Sequence, residues 1–160
     1  MSRDVRDNDA QWRKAFANLK QLEKLEVASG ILSKDGSEQH SPGITMVDLA
    51  TVHEFGTKNI PERSFIRTGY DTHENKIAIE AGKAIDAALL DTNWKAHLNR
   101  VGLLNRQGII DQFKQSGDPK WTKNAPSTIK RKGSDKPLID TGRLRQSIHF
   151  VIRRTEGTED

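Results

Sequence analysis

The chain contains no cysteine. Disulfides, thiolate metal sites and cysteine nucleophiles are therefore excluded together. No stretch approaches the roughly 18 consecutive apolar residues of a membrane-spanning helix, and the opening MSRDVRDNDAQW lacks the apolar segment of a secretory signal. Apolar residues are also scarce, at 34% of 160 residues with aromatics at 6%. Even with glycine included the share is about 42%, below the roughly 45–50% of an ordinary globular chain. The apolar residues that remain are nevertheless periodic, which separates the chain from disordered sequences. Length and composition predict one soluble domain over 1–160, made in the cytoplasm, with a helical N-terminal arm (about 1–23), a core (about 25–154) and a disordered acidic tail (155–160).

Catalytic signatures are missing as well. His53-Glu54 is followed by Phe55-Gly56-Thr57, so the pair does not form HExxH, and no GxSxG, P-loop or GxGxxG occurs. Leu138-Ile139-Asp140-Thr141-Gly142 has the look of an aspartic-protease motif, in which two carboxylates share a proton. Arg143 sets a cation beside that carboxylate, and only 18 residues follow Gly142, too few for the rest of a protease lobe. The simpler reading makes Asp140 or Thr141 the cap of a short helix at 142–147. Neither a cofactor nor a metal is expected.

Charge is unevenly distributed. Lys120 to Arg154 holds ten Lys and Arg against two Asp, a net +8, while the remainder carries 16 basic and 20 acidic residues, a net −4. Such a block suits phosphate attraction or an acidic neighbour in an assembly. A DNA-binding module using Lys130, Arg131, Lys132, Lys136, Arg143 and Arg145 is the rival reading, although no recognition-helix, zinc or RNP pattern accompanies these residues.

Periodicity predicts helices over about 9–23 (Trp12, Ala15, Phe16, Leu19, Leu22), 45–55, 71–90 (Ile77, Ala81, Ala84, Ile85, Ala88, Leu89) and 93–115 (Trp94, Leu98, Val101, Ile109, Ile110, Phe113). Gly102 and Gly108 weaken the last by about 1 kcal/mol each relative to Ala. Alternation predicts strands at 25–31 and 148–152, and the polar segment 33–43 reads as a long exposed loop. Strands early and late around a helical middle indicate an α+β fold, a small antiparallel sheet packed against several helices with long exposed loops.

Two constellations stand out. The first runs from Val52 to Arg67: Gly56 stops a helix in a left-handed conformation, and Pro61 stiffens a crossing that Phe55 and Phe65 pin to the core. Arg63 is placed to pair with Glu54. The second runs from Trp121 through Ser127–Ile148, a short helix, a stiff loop, a capped helical turn at Gly142 and the final strand.

The strings HEFGT (53–57) with IPERSFIR (60–67), and STIKRKGSDKPLIDTGRLRQSI (127–148), resemble those of tailed-phage neck proteins, the head–tail joining or tail-completion group. Their order and spacing extend the resemblance over most of 25–153, leaving out the Trp12 helix and the acidic tail. The resemblance implies a structural virion protein without enzymatic activity, assembled in the host cytoplasm. It would form a homo-oligomeric ring of six subunits around the DNA path, between the portal or adaptor proteins and the tail terminator or tail-tube proteins. It involves no membrane and only non-specific proximity to DNA. A tail terminator capping the tube is the alternative layer. Sheet edges and the 33–43 loop are expected to add to neighbouring subunits, because an unpaired edge is a template for another chain.

Overall fold

The computed structural model describes residues 5–32, 37, 39–41 and 43–155. Among them the order is α1 (Val5–Glu23), β1 (Leu25–Ile31), β2 (Gln39–Ser41), β3 (Ile44–Thr45), α2 (Met46–Phe55), α3 (Ile66–Asp71), α4 (Glu74–Leu89), α5 (Trp94–Gln115), α6 (Pro126–Lys132), α7 (Arg143–Gln146) and β4 (Ile148–Arg154). β1 and β4 pair antiparallel from Leu25↔Arg154 to Ile31↔Ile148. They pack with the helices into an α+β fold, as the sequence pattern indicates. β2 and β3 form a separate small antiparallel ribbon, so part of the expected 33–43 loop is strand. Its residues 33–36, 38 and 42 lie outside the described set.

The main core gathers Met46, Ala50, Phe65, Ile109, Phe113, Leu144 and Ile148 between α2, α5, α7 and β4. Phe65 and Phe113 meet edge to face at 5.1 Å between ring centroids, a favourable aromatic geometry. A second cluster joins Ala87, Ala88 and Trp94 to Leu19, Leu22, Leu25 and Leu98, seating α1 on the helical hairpin α4–α5. Asn18 Nδ2 fixes that seat by donating to the Ala88 carbonyl and to Asp91 Oδ1 (3.2 and 3.0 Å). Arg106 Nε ties α5 to β4 through the Ile148 carbonyl (2.7 Å).

Several expectations are corrected. The helix foreseen over 71–90 is two helices, with α3 beginning five residues earlier and a break at Thr72–His73. The buried stripe of α4 is Ile77, Glu80, Ala84, Ala87 and Ala88, while Ile85 and Leu89 are exposed. Small residues take the contact line because they allow the helices to approach closely. On α1 the buried position is Ala15, and Trp12 and Phe16 point outward at 68% and 61% exposure.

Gly102 and Gly108 are close-approach points rather than weaknesses. A Cβ on Gly102 would overlap the Phe150 ring, and one on Gly108 would collide with the Gly69 carbonyl oxygen and lie 2.9 Å from His73 Nδ1. Gly69 reciprocates, since its Cβ would lie 2.6 Å from Ile109 Cα. α3 and α5 thus touch backbone to backbone. Of the expected tail, Thr155 is tied in through its N–H to the Lys24 carbonyl (2.9 Å), and 156–160 lie outside the described residues.

Candidate functional site

Helix α2 opens with a capping box. Thr45 Oγ1 accepts from Asp48 N–H (3.1 Å) and Asp48 Oδ2 accepts from Thr45 N–H (3.0 Å), satisfying donors that a helix start leaves open. The same Thr45 bonds hold the Asp48 carboxyl below its ordinary pKa. At the other end Gly56 has φ 70°, ψ 177°. The positive φ is as expected, but this ψ is extended rather than left-handed helical. A Cβ there would stand 2.8 Å from Glu62 N, so glycine is also required for the returning chain to cross.

Glu54, 5% exposed, is the hub of that crossing. Its Oε1 accepts from Ser64 Oγ (2.7 Å) and Arg67 N–H (3.0 Å), and its Oε2 from Phe65 and Ile66 N–H (2.8 and 2.9 Å). One carboxylate therefore caps the N-terminus of α3, where free N–H groups and the helix dipole favour negative charge. This is why α3 starts at Ile66, a helix the apolar pattern did not reveal.

The expected Arg63–Glu54 pair does not form, because Glu54 is occupied by α3. Arg63 turns the other way and donates from Nε to the Thr122 carbonyl (3.1 Å) and from Nη2 to that of Lys123 (3.3 Å). Trp121 Nε1 donates to the Ser64 carbonyl (3.1 Å), and its ring meets Phe113 edge-on. The two constellations are thus bolted together, with Phe65 and Trp121 against the core. Phe55 does not anchor the crossing. It is 65% exposed, because α2 buries Met46, Ala50 and Glu54, one position before it.

The meeting of the two constellations encloses a cavity of about 550 Å³. Pro61 and Arg63 come from the first, and Arg131, Lys132, Asp140, Gly142 and Arg143 from the second. Lys130 and Arg145 are exposed outside it. α6 has Pro126 at its start and ends at Gly133 in the left-handed region, with Lys130, Arg131 and Lys132 in its last turn, where cations suit the dipole. Burial depresses the Lys132 ammonium; Asp140 opposes that shift, while Arg63 and Arg131 add to it. Burial also lowers the Arg63 guanidinium pKa. Among the described residues that line the cavity, the cations Arg63, Lys123, Arg131, Lys132 and Arg143 outnumber the carboxylate of Asp140.

The chain matches no family model, no curated protein and no solved structure. Asp140 is not the cap of α7. No side chain caps at the Gly142 N-cap position; nearby, Arg143 N–H donates to Thr141 Oγ1 (3.4 Å). Asp140 sits exposed at the cavity instead.

One polar cluster was not anticipated. Glu80, 7% exposed, accepts from His97 Nδ1 (2.7 Å), Lys83 Nζ (3.1 Å) and Arg100 Nη1 (3.4 Å), linking α4 to α5. The His97 bond lowers the Glu80 pKa to about 2 despite burial, with Lys83 and Arg100 contributing. Its only sequence signal was a glutamate on the buried face of α4. Among the described residues, no group of His, Asp and Glu has the arrangement of a metal site.

Proposed function

We propose that this chain is a structural subunit of the tailed-phage neck. It joins the portal region of the capsid to the tail by assembling into a ring around the DNA path. Support comes from the motif resemblance and from the apolar surface left open on the subunit. Ile31, Val47, Phe55 and Ile66 line a groove of about 320 Å³ beside β1. Trp12 and Phe16 form a second exposed apolar site on α1. Exposed apolar side chains grouped at two grooves suit contact with another chain. Phe55 is the observation that carries the reading: a large aromatic ring held outward on a rigid, capped helix suits an interface anchor.

The occupant of the Phe55 groove in this reading is the adjacent copy of the same chain, since a head-to-tail contact of unlike surfaces builds a ring when the rotation between copies closes. A terminator ring on the tail tube uses the same contact and differs in its neighbours. The DNA-binding rival is less well supported, because α6 spans only 7 residues and Lys132 Nζ is engaged by the Lys136 carbonyl (2.8 Å). A virion reconstruction and native mass spectrometry with portal and tail-tube proteins test the proposal. A ring at the head–tail junction is expected. One or two copies per virion, or a position away from the neck, overturns it.

A further inference from the structure

Arg63, on the wall of the cavity between the two constellations, is only partly satisfied by the described residues. Arg63 is 6% exposed, and two backbone carbonyls take its Nε and one Nη2 hydrogen. Its Nη1 has no hydrogen-bond partner among the described residues, and no carboxylate there pairs with it. Nor is Nη1 sealed in protein, so it faces the open space that Arg63 lines. A buried cation without a counter-charge is costly, and two neutral carbonyls offset that cost only in part. Among the described lining residues, Lys123, Arg131, Lys132 and Arg143 add like charge, and Asp140 is the one carboxylate. Leu49, Ile60, Pro61 and Leu138 make other parts of the wall apolar.

We propose that this cavity receives the carboxylate of an acidic side chain from a neighbouring protein chain. Nη1 and the remaining Nη2 hydrogen of Arg63 present the planar fork that a carboxylate meets with two parallel bonds. The aliphatic stem of Glu or Asp, and an apolar residue beside it, would lie on the leucine and proline walls. A nucleic-acid backbone fits this site less well. Its phosphates are flanked by bulky sugars and approach a recessed guanidinium less readily than an acidic side chain, which carries its charge at the tip of a thin stem. Asp140 also opposes a dense polyanion more than one carboxylate. This inference does not rest on the neck assignment.

The test is an NMR titration of the full chain with four probes. They are a blocked peptide holding one Glu between two Leu, its Gln counterpart, inorganic phosphate and a mixed-sequence DNA duplex. The Glu peptide should move the Arg63 Nε–Hε resonance and the amides of 122–125 and 141–144, and the Gln peptide should bind at least about tenfold more weakly, a difference of about 1.4 kcal/mol. Arg63→Lys should weaken the Glu peptide comparably, because an ammonium lacks the fork. Should that variant not fold, the pair Arg131→Gln and Lys132→Gln should weaken it severalfold with an unchanged Tm. Equal binding of Glu and Gln peptides overturns the inference, as does no response to either. Phosphate binding the same resonances as tightly, or duplex DNA displacing the peptide, overturns the assignment to a protein carboxylate. The titration uses the isolated chain, so its outcome is separate from the virion experiment.

Discussion

Replacing Glu54 by Ala should be among the most damaging single changes in the molecule. The carboxylate answers four donors, of which Ser64 Oγ and Phe65 N–H are buried and those of Ile66 and Arg67 are partly so. A buried donor left without a partner costs about 1–3 kcal/mol, so the two buried groups alone account for about 2–6 kcal/mol. Water can reach the partly buried pair, which limits their share. The lost charge at the start of α3 adds up to about 2 kcal/mol in a partly buried setting. An overall cost of about 4 kcal/mol is expected, a large part of the roughly 5–15 kcal/mol that holds a domain folded. At about 2–4 °C per kcal/mol for a chain of this size, Tm should fall by about 8–16 °C in a calorimetric scan. Glu54→Gln keeps one acceptor oxygen for the four donors and should fall between Ala and the parent. Amide exchange at Phe65 and Ile66 should quicken in both. A Tm for Glu54→Ala within about 2 °C of the parent would refute the assignment of Glu54 as the cap of α3.

Gly108→Ala should destabilise by about 1–3 kcal/mol or more, because its Cβ meets backbone that cannot step aside, whereas Gly82→Ala, with open space around it, should gain about 0.5–1 kcal/mol; paired urea melts decide the signs. Glu80 has a depressed folded-state pKa, so its stabilisation is complete above the ordinary carboxyl range and is lost as pH falls from about 4.5 towards 2. Glu80→Gln should therefore flatten that part of the stability–pH curve, and an unchanged acid limb would count against the Glu80–His97 link. Phe55→Asp should leave Tm within about 2 °C of the parent, since exposed positions tolerate substitution, while abolishing ring assembly in native mass spectrometry. Asp140→Ala should change stability by less than about 0.5 kcal/mol, and a loss of 1 kcal/mol or more would restore it as a cap.

What could be read from the chain alone follows the range of the forces involved. β1 was legible to the residue and β4 nearly so, because alternation in Leu25–Ile31 and Ile148–Ile152 is local. α5 was legible for the same reason. α3 was not, because its start depends on a carboxylate 12 residues upstream rather than on its own pattern. The glycines of α5 were misjudged in sign, since helix propensity counts the isolated helix and says nothing about Gly69 pressing on Gly108. Both constellations were recognisable as unusual, and the structure brings Pro61, Arg63, Arg131, Lys132, Asp140, Gly142 and Arg143 to one cavity. The partner of Arg63 was misassigned because sequence proximity to Glu54 says nothing about which of two nearby acceptors the guanidinium faces.

The pairing of β1 with β4 also orders events during synthesis. Ile31 meets Ile148, 117 positions later, so at about 5–20 residues per second the first strand waits roughly 6–23 s before its partner has been made. The α4–α5 hairpin closes locally and can form well before that, giving α1 a surface to dock on. Until residues 148–154 emerge, β1 has both edges open and the cluster around Phe65 lacks Leu144 and Ile148. A nascent chain stalled in that interval displays an unpaired strand beside an unfinished core, the combination that draws chaperones and seeds aggregation. Yield during expression should therefore depend on how fast the last segment is translated, even for variants whose finished fold is fully stable.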